Sequence, residues 1–132
     1  MKIIKTIIYL VLGLSSMSFA SETKYQKCYD ITISADIKAC MNDQQTESMK
    51  KSYDEKKAFI ERGYNNVFQQ EDFSRQVKNE YKYWKIYIKN KCQMEASTDT
   101  IIGSYAYWIE YFKCSSIEAD RKAEYYKNYQ FQ

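Results

Sequence analysis

The stretch from Asp72 to Cys92, DFSRQVKNEYKYWKIYIKNKC, decides the fold. Val77, Tyr81, Trp84 and Ile88 recur at intervals of four, three and four, which lines them up as one apolar stripe on a helix. Lys78, Glu80, Lys82, Lys85 and Lys89 cover the rest of its surface. Glu71 and Asp72 sit where a helix favours negative charge, at its start.

Working outward, a second helix is expected before this one. Ser34 is a candidate cap, with Asp36 in the first turn. Met49, Tyr53 and Ile60, spaced four and seven apart, are its expected buried face, and Gly63 its left-handed stop. On the other side, the third region reads as two pieces. A short apolar stretch (Tyr105, Trp108, Ile109, Phe112) follows Gly103-Ser104, and a final helix runs from about Ser116, as cap, to Tyr129. Proline is absent and glycine occurs three times, so tight β-turns have little to build on. The expected fold is all-α, a small antiparallel bundle of three to four helices.

The N-terminus reads as a cleavable export signal over residues 1–20. Lys2 and Lys5 precede the apolar run Ile7 to Leu14, and Ser18-Phe19-Ala20 places small residues at −3 and −1. That run is far shorter than the roughly 20 residues a spanning helix needs, so no membrane association is expected after cleavage. Ser21, not cysteine, follows the cleavage site, which argues against a lipid anchor. Residues 21–132 then form one domain, periplasmic or secreted. Two of the 20 basic residues leave with the signal and none of the 17 acidic ones, so the remaining chain carries +1. So near-neutral a balance gives no reason to expect nucleic acid.

Cys28, Cys40, Cys92 and Cys114 all lie beyond the signal. An even count in a small exported chain reads as two disulfides. No C-x-x-C spacing and no histidine are present, so no metal site is expected. An up-down-up arrangement brings all four cysteines to one end of the bundle and leaves all three pairings open. A pairing between helices would brace the bundle more than a local Cys28–Cys40 link, at roughly 2–4 kcal/mol per bridge.

Catalysis finds no support. Without histidine there is neither a Ser-His-Asp nor a Cys-His arrangement, and Gly63 and Gly103 stand too far apart for a phosphate loop. No cofactor is expected. Aromatic content stands out instead: 14 tyrosines, six phenylalanines and two tryptophans. Tyr53, Tyr81 and Trp84 read as core. Tyr105, Tyr107, Trp108, Tyr111 and Phe112 spread around a full helical turn and cannot all face one core, so part of this segment, or of Tyr125, Tyr126 and Tyr129, is a candidate partner-binding face.

The cysteine frame resembles the family of small exported bacterial domains named after the N-terminal domain of the lysozyme inhibitor LprI. Cys28-x11-Cys40 has its opening spacing, and Trp84 to Cys92 matches W-x-x-Y-x-x-x-x-C. Gly103-Ser104, Cys114 and Ile117-Glu-Ala-Asp-Arg121 follow its G-S…C…L-T-x-x-R ending. The likeness spans about residues 28 to 125; Ile88-Lys89 stands where the family has Arg-Asp, and Glu118 where it has Thr. The resemblance implies a helical, disulfide-bonded domain at the periplasm or cell surface, with lysozyme inhibition in some members. Within its motif, Trp84 and Tyr87 read as anchors toward the preceding helix, Gly103 as a bend and Arg121 as a local ion-pair partner.

The expected function is an exported, non-enzymatic module that occludes a lysozyme-type cell-wall hydrolase. The connection from Asn90 to Ser104 is its candidate protruding loop, with a positive or hydrogen-bonding tip. The alternatives are an immunity protein against a delivered toxin and an envelope structural or stress protein. Mass spectrometry of exported protein should show residues 1–20 removed and a mass four hydrogens below that of the reduced chain; four free thiols would overturn the disulfide reading.

Overall fold

The computed structural model describes residues 24–132; the export signal expected over residues 1–20 lies outside them. Four helices make up the described chain: a short α1 (24–29), then α2 (Ser34–Tyr64), α3 (Gln70–Asp99) and α4 (Tyr105–Asn128). Contacts between Ser48 and Ser116, Met41 and Ile109, and Phe59 and Tyr126 rise together in sequence, so α2 and α4 run parallel. They form the most extensive helix pair of the bundle. Both α3 and α1 run antiparallel to this pair: α3 through Ser52–Tyr81 and Lys91–Glu118, and α1 through Lys24–Asp120 and Tyr29–Glu110.

The parallel pair is close because its facing stripes are small in the middle. On α2 the buried residues are Met41, Ser48, Ser52, Lys56, Phe59 and Gly63; on α4 they include Ile109, Ser116, Ala119, Ala123 and Tyr126. These fall at intervals of seven, four and three, the spacing of a seam between long packed helices. The α2 face therefore lies one position back from the expected one. Tyr53 is 47% exposed, and Met49 and Ile60 are only partly buried. Two serines and a lysine sit on the true seam, which hides it from a hydrophobicity pattern.

Bulky side chains gather at the two ends. One cluster holds Tyr25, Cys28, Met41 and Ile109, with Ile37, Cys40, Phe112 and Ile117 against it. The other holds Phe59, Val77, Tyr81 and Tyr126, with Ile60, Phe73, Trp84 and Phe131. Between them lies a polar layer. Ser48 and Ser116 are hydrogen-bonded at 2.8 Å, the Tyr25 hydroxyl donates to Ser116 Oγ at 2.9 Å, and Lys24 Nζ reaches Ser48, Ser116 and Asp120 at 2.7, 3.2 and 3.0 Å. Buried hydroxyls are tolerated because they are bonded in this way; Ser115 Oγ alone of the described buried side-chain polar atoms has no partner.

Three expected boundaries move. Ser34 is the first helical residue of α2, and the cap is the extended Ile33, whose carbonyl accepts from the Asp36 and Ile37 amides at 3.0 Å each. Nothing breaks α4 at Ser116: its hydroxyl is spent across the helix interface, so the expected two pieces are one 24-residue helix. Gly63 does not take a left-handed stop either; among described residues only Gly103 has positive φ, at 85°. Gly63 is required for space, since a Cβ there would stand 2.7 Å from the Phe131 ring and closer still to Phe73. Gly63→Ala is expected to lower the unfolding free energy by up to about 2 kcal/mol, because overpacking of about 1–3 kcal/mol opposes a helix-propensity gain of about 1 kcal/mol. Urea denaturation checks the sign; a stabilised variant would refute the close-packing account.

Candidate functional site

Both disulfides lie toward the end of the bundle where α2 and α4 begin and α3 finishes. Cys28 pairs with Cys40 and Cys92 with Cys114, at Cα separations of 5.5 and 5.6 Å. The Cys28–Cys40 bridge is not merely local, because residue 28 belongs to α1 and the bond fastens that helix to α2. Cys92–Cys114 fastens α3 to α4 around the intervening turn. Disulfides of this kind are compatible with an oxidising extracellular compartment, and no described helix is long and apolar enough to cross a membrane.

The connection between those two cysteines is much shorter than expected. Gln93-Met94-Glu95-Ala96 are good helix formers without an interrupting glycine, so α3 continues two turns past Cys92 to Asp99. What remains is Thr100 to Ser104. Its geometry is fixed by Gly103, whose positive φ favours glycine although nothing stands within 4 Å of a Cβ there. Ser104 then caps α4, its Oγ accepting from the Tyr107 amide at 3.1 Å. The tip is apolar where a positive or polar one was expected: Ile101 is 82% exposed and Ile102 74%.

The aromatic segment beyond the tip divides between surface and core. Tyr105 is exposed, Trp108 and Tyr111 are partly buried, and Tyr107 is buried. Tyr107 therefore drops out as a contact residue. Lys38 of α2 stands 5.9 Å from the Tyr105 ring centre and 5.7 Å from that of Trp108, tying the exposed rings to the neighbouring helix. Trp108 meets Tyr111 edge-on at 5.6 Å and stacks on Phe112 at 5.9 Å. Ile101, Ile102, Tyr105 and the accessible side of Trp108 thus border one rigid turn.

The other expected residues fall elsewhere. Trp84 packs into the second cluster, its ring 5.5 Å from Lys122 of α4, so it faces α4 as well as the core of its own helix. Tyr87 is 61% exposed and anchors nothing. Arg121 donates to Glu118 at 2.9 Å, one helical turn back. Tyr125 and Tyr129 are exposed, while Tyr126 is closed in, its hydroxyl donating to Glu80 at 2.9 Å, and is no partner contact.

One polar constellation was missed by the sequence reading. Lys24 beside Ser48 puts an amine within hydrogen-bonding reach of a hydroxyl, the pairing used by some serine nucleophiles. Here the ammonium is ion-paired to Asp120 and is a donor only, and both serines are closed inside the bundle. Its geometry is that of a structural knot.

No family model matches this chain, and neither a curated protein nor a solved structure does. None of these comparisons supports the LprI-type likeness expected from the spacing of the cysteines and the residues around Trp84, Gly103 and Arg121.

Four tyrosines couple the packing to pH. Burial, above all, pushes the hydroxyls of Tyr25, Tyr29, Tyr81 and Tyr126 above their ordinary 10.0; at Tyr126 the Glu80 carboxylate adds to it by holding the hydroxyl hydrogen. A raised folded-state value means that the stabilisation is fully present below pH 10.0 and is lost as pH rises toward the folded values. Lys56 acts in the opposite sense: burial, then nearby lysines, push its amine below 10.5. Lys91 acts with the tyrosines, because its hydrogen bond to Glu118, above all, holds its amine above 10.5. With five groups against one, the melting temperature should fall above pH ~10. Tyr126→Phe should flatten that fall, as followed by circular dichroism; an unchanged slope would exclude Tyr126 as a principal source.

Proposed function

We propose that this chain is an exported, non-enzymatic binding module that occludes a lysozyme-type cell-wall hydrolase with the disulfide-braced end of its bundle. The observation that carries the reading is the Ile101-Ile102 tip, two exposed isoleucines on a five-residue turn held between Cys92 and Cys114. An apolar tip on an already ordered turn loses little freedom on docking, which is the main cost a binding loop has to overcome. Burying each isoleucine in a partner is worth about 1.5–3 kcal/mol. Tyr105 and Trp108 flank the tip with the residue types most often responsible for affinity at protein interfaces. The hydrolase as target comes from the LprI resemblance, and the mechanism is steric, with no bond made or broken. Two disulfides support a periplasmic or secreted location.

Protein spanning residues 21–132 should inhibit lysozyme on cell walls in proportion to its concentration, reaching completion near a one-to-one ratio. Ile101→Asp with Ile102→Asp should raise the concentration needed by about tenfold or more, equivalent to about 1.4 kcal/mol, and leave the melting temperature unchanged. Inactivity at large excess against c-, g- and i-type lysozymes would end the lysozyme reading.

A further inference from the structure

The small net charge, +3 over the whole sequence and +1 over residues 21–132, conceals a segregated surface. Between Phe73 and Met94, α3 carries Arg75, Lys78, Lys82, Lys85, Lys89 and Lys91 against a single acid, Glu80. Glu80 is turned away, engaging Lys122 and Tyr126 of α4, and Lys91 is taken up by Glu118 and Glu95. Arg75 is paired with Asp72. Lys78, Lys82, Lys85 and Lys89, spaced four, three and four apart, form no ion pair among the described residues. At 1.5 Å per residue they make a row about 16 Å long.

The row borders α2, and α2 adds to its charge. Lys56 is buried, with its ammonium 4.1 Å from the centre of the Tyr53 ring and 4.7 Å from that of Tyr81. Lys57 stands 5.6 Å from Tyr53 and Lys85 5.3 Å from Tyr81. Three ammonium groups from two helices therefore share two aromatic rings, and neither Lys56 nor Lys57 has a carboxylate within ion-pair distance. A buried cation without an acid partner is costly, and ring faces offset only part of that cost. Further along, exposed Tyr64 borders a shallow recess of about 390 Å³ together with Ser74 and Lys78; Glu71 closes that end. Exposed rings on α2 (Tyr53, Tyr64) thus border a row of amines on α3.

We propose that this α2–α3 face binds a linear anionic glycan, with Lys78, Lys85 and Lys89 meeting its acidic groups and Tyr53 and Tyr64 lying against its sugar rings. Several features favour that occupant. Lysines strung along a helix act as mobile point charges suited to a repeating anion, whereas a single carboxylate is better held by an arginine fork. An anionic membrane would call for a broad apolar strip beside the amines, whereas the exposed rings here are tyrosines with Ile86 as the one exposed aliphatic side chain among the lysines of the row. Nucleic acid is a poor match for a disulfide-bonded chain, since oxidising compartments are where such bonds persist. The face is separate from the Ile101-Ile102 turn, so either surface can fail without the other.

The test is binding of the 21–132 protein to size-defined heparin fragments, with neutral dextran as control. Poly-L-glutamate, an oligo-dT strand and phosphatidylglycerol vesicles serve as competing polyanions. Binding to heparin should be salt-sensitive and weaken about tenfold or more in Lys78→Glu with Lys85→Glu. Lys27→Glu with Lys127→Glu, the same charge change at two exposed lysines elsewhere, should retain most of the affinity. Tyr53→Ala should weaken heparin binding severalfold and leave poly-glutamate binding unaltered. The proposal is overturned by no binding at low salt, by tighter binding to any of the other three polyanions, or by equal loss in the two charge-reversed pairs. Circular dichroism of each variant excludes unfolding as the cause.

Discussion

The close parallel contact of α2 with α4 is the constraint from which the rest follows. Two helices can approach only as nearly as their facing side chains allow, and here the middle of the seam holds Ser48 and Ser52 on one side and Ser116, Ala119 and Ala123 on the other. Their hydroxyls need partners once water is excluded. Ser48 and Ser116 find each other; Ser52 bonds the Tyr81 hydroxyl of α3, and Ser116 accepts from Tyr25 of α1. Satisfying the seam thus recruits the other two helices and fixes their height along the pair. Lys24 adds a charge-assisted bond at the same level, with Asp120 balancing it.

The two disulfides act on the geometry that this seam has already set. Each ties one member of the parallel pair to an antiparallel helix, Cys40 of α2 to α1 and Cys114 of α4 to α3. No bridge crosses between α2 and α4, where packing is most extensive. The Cys92–Cys114 bridge falls where the contacts are thinner, between α3 and α4, and the turn at Ile101 is held by both its flanking helices.

The long apolar stripe of α3 was legible because Val77, Tyr81 and Ile88 are large and regularly spaced; the structure buries all three. The all-helical class and the gathering of cysteines at one end were legible too, from absent proline and the order of the segments. The seam of α2 was not, because its buried residues include Ser48, Ser52 and Lys56, which a hydrophobicity pattern assigns to solvent. For the same reason Ser116 looked like a cap. The pairing of the cysteines needed α1, a helix too short to leave a periodic signal. Of the aromatic candidates, alternation around α4 indicated that some must be exposed, but only tertiary packing could select Tyr105 over Tyr107. The lysine row was visible residue by residue; its segregation was not, because it depends on Glu80 turning toward α4.

The polar layer has a consequence for how the molecule can change. The two apolar clusters are separate, and what joins them is a set of hydroxyls and small side chains rather than interlocking bulky ones. A volume change in one cluster has no rigid neighbour through which to displace the other, so substitutions at the two ends should combine nearly independently. The bundle is in that sense modular along its own length: one end can diversify its surface while the other keeps its shape.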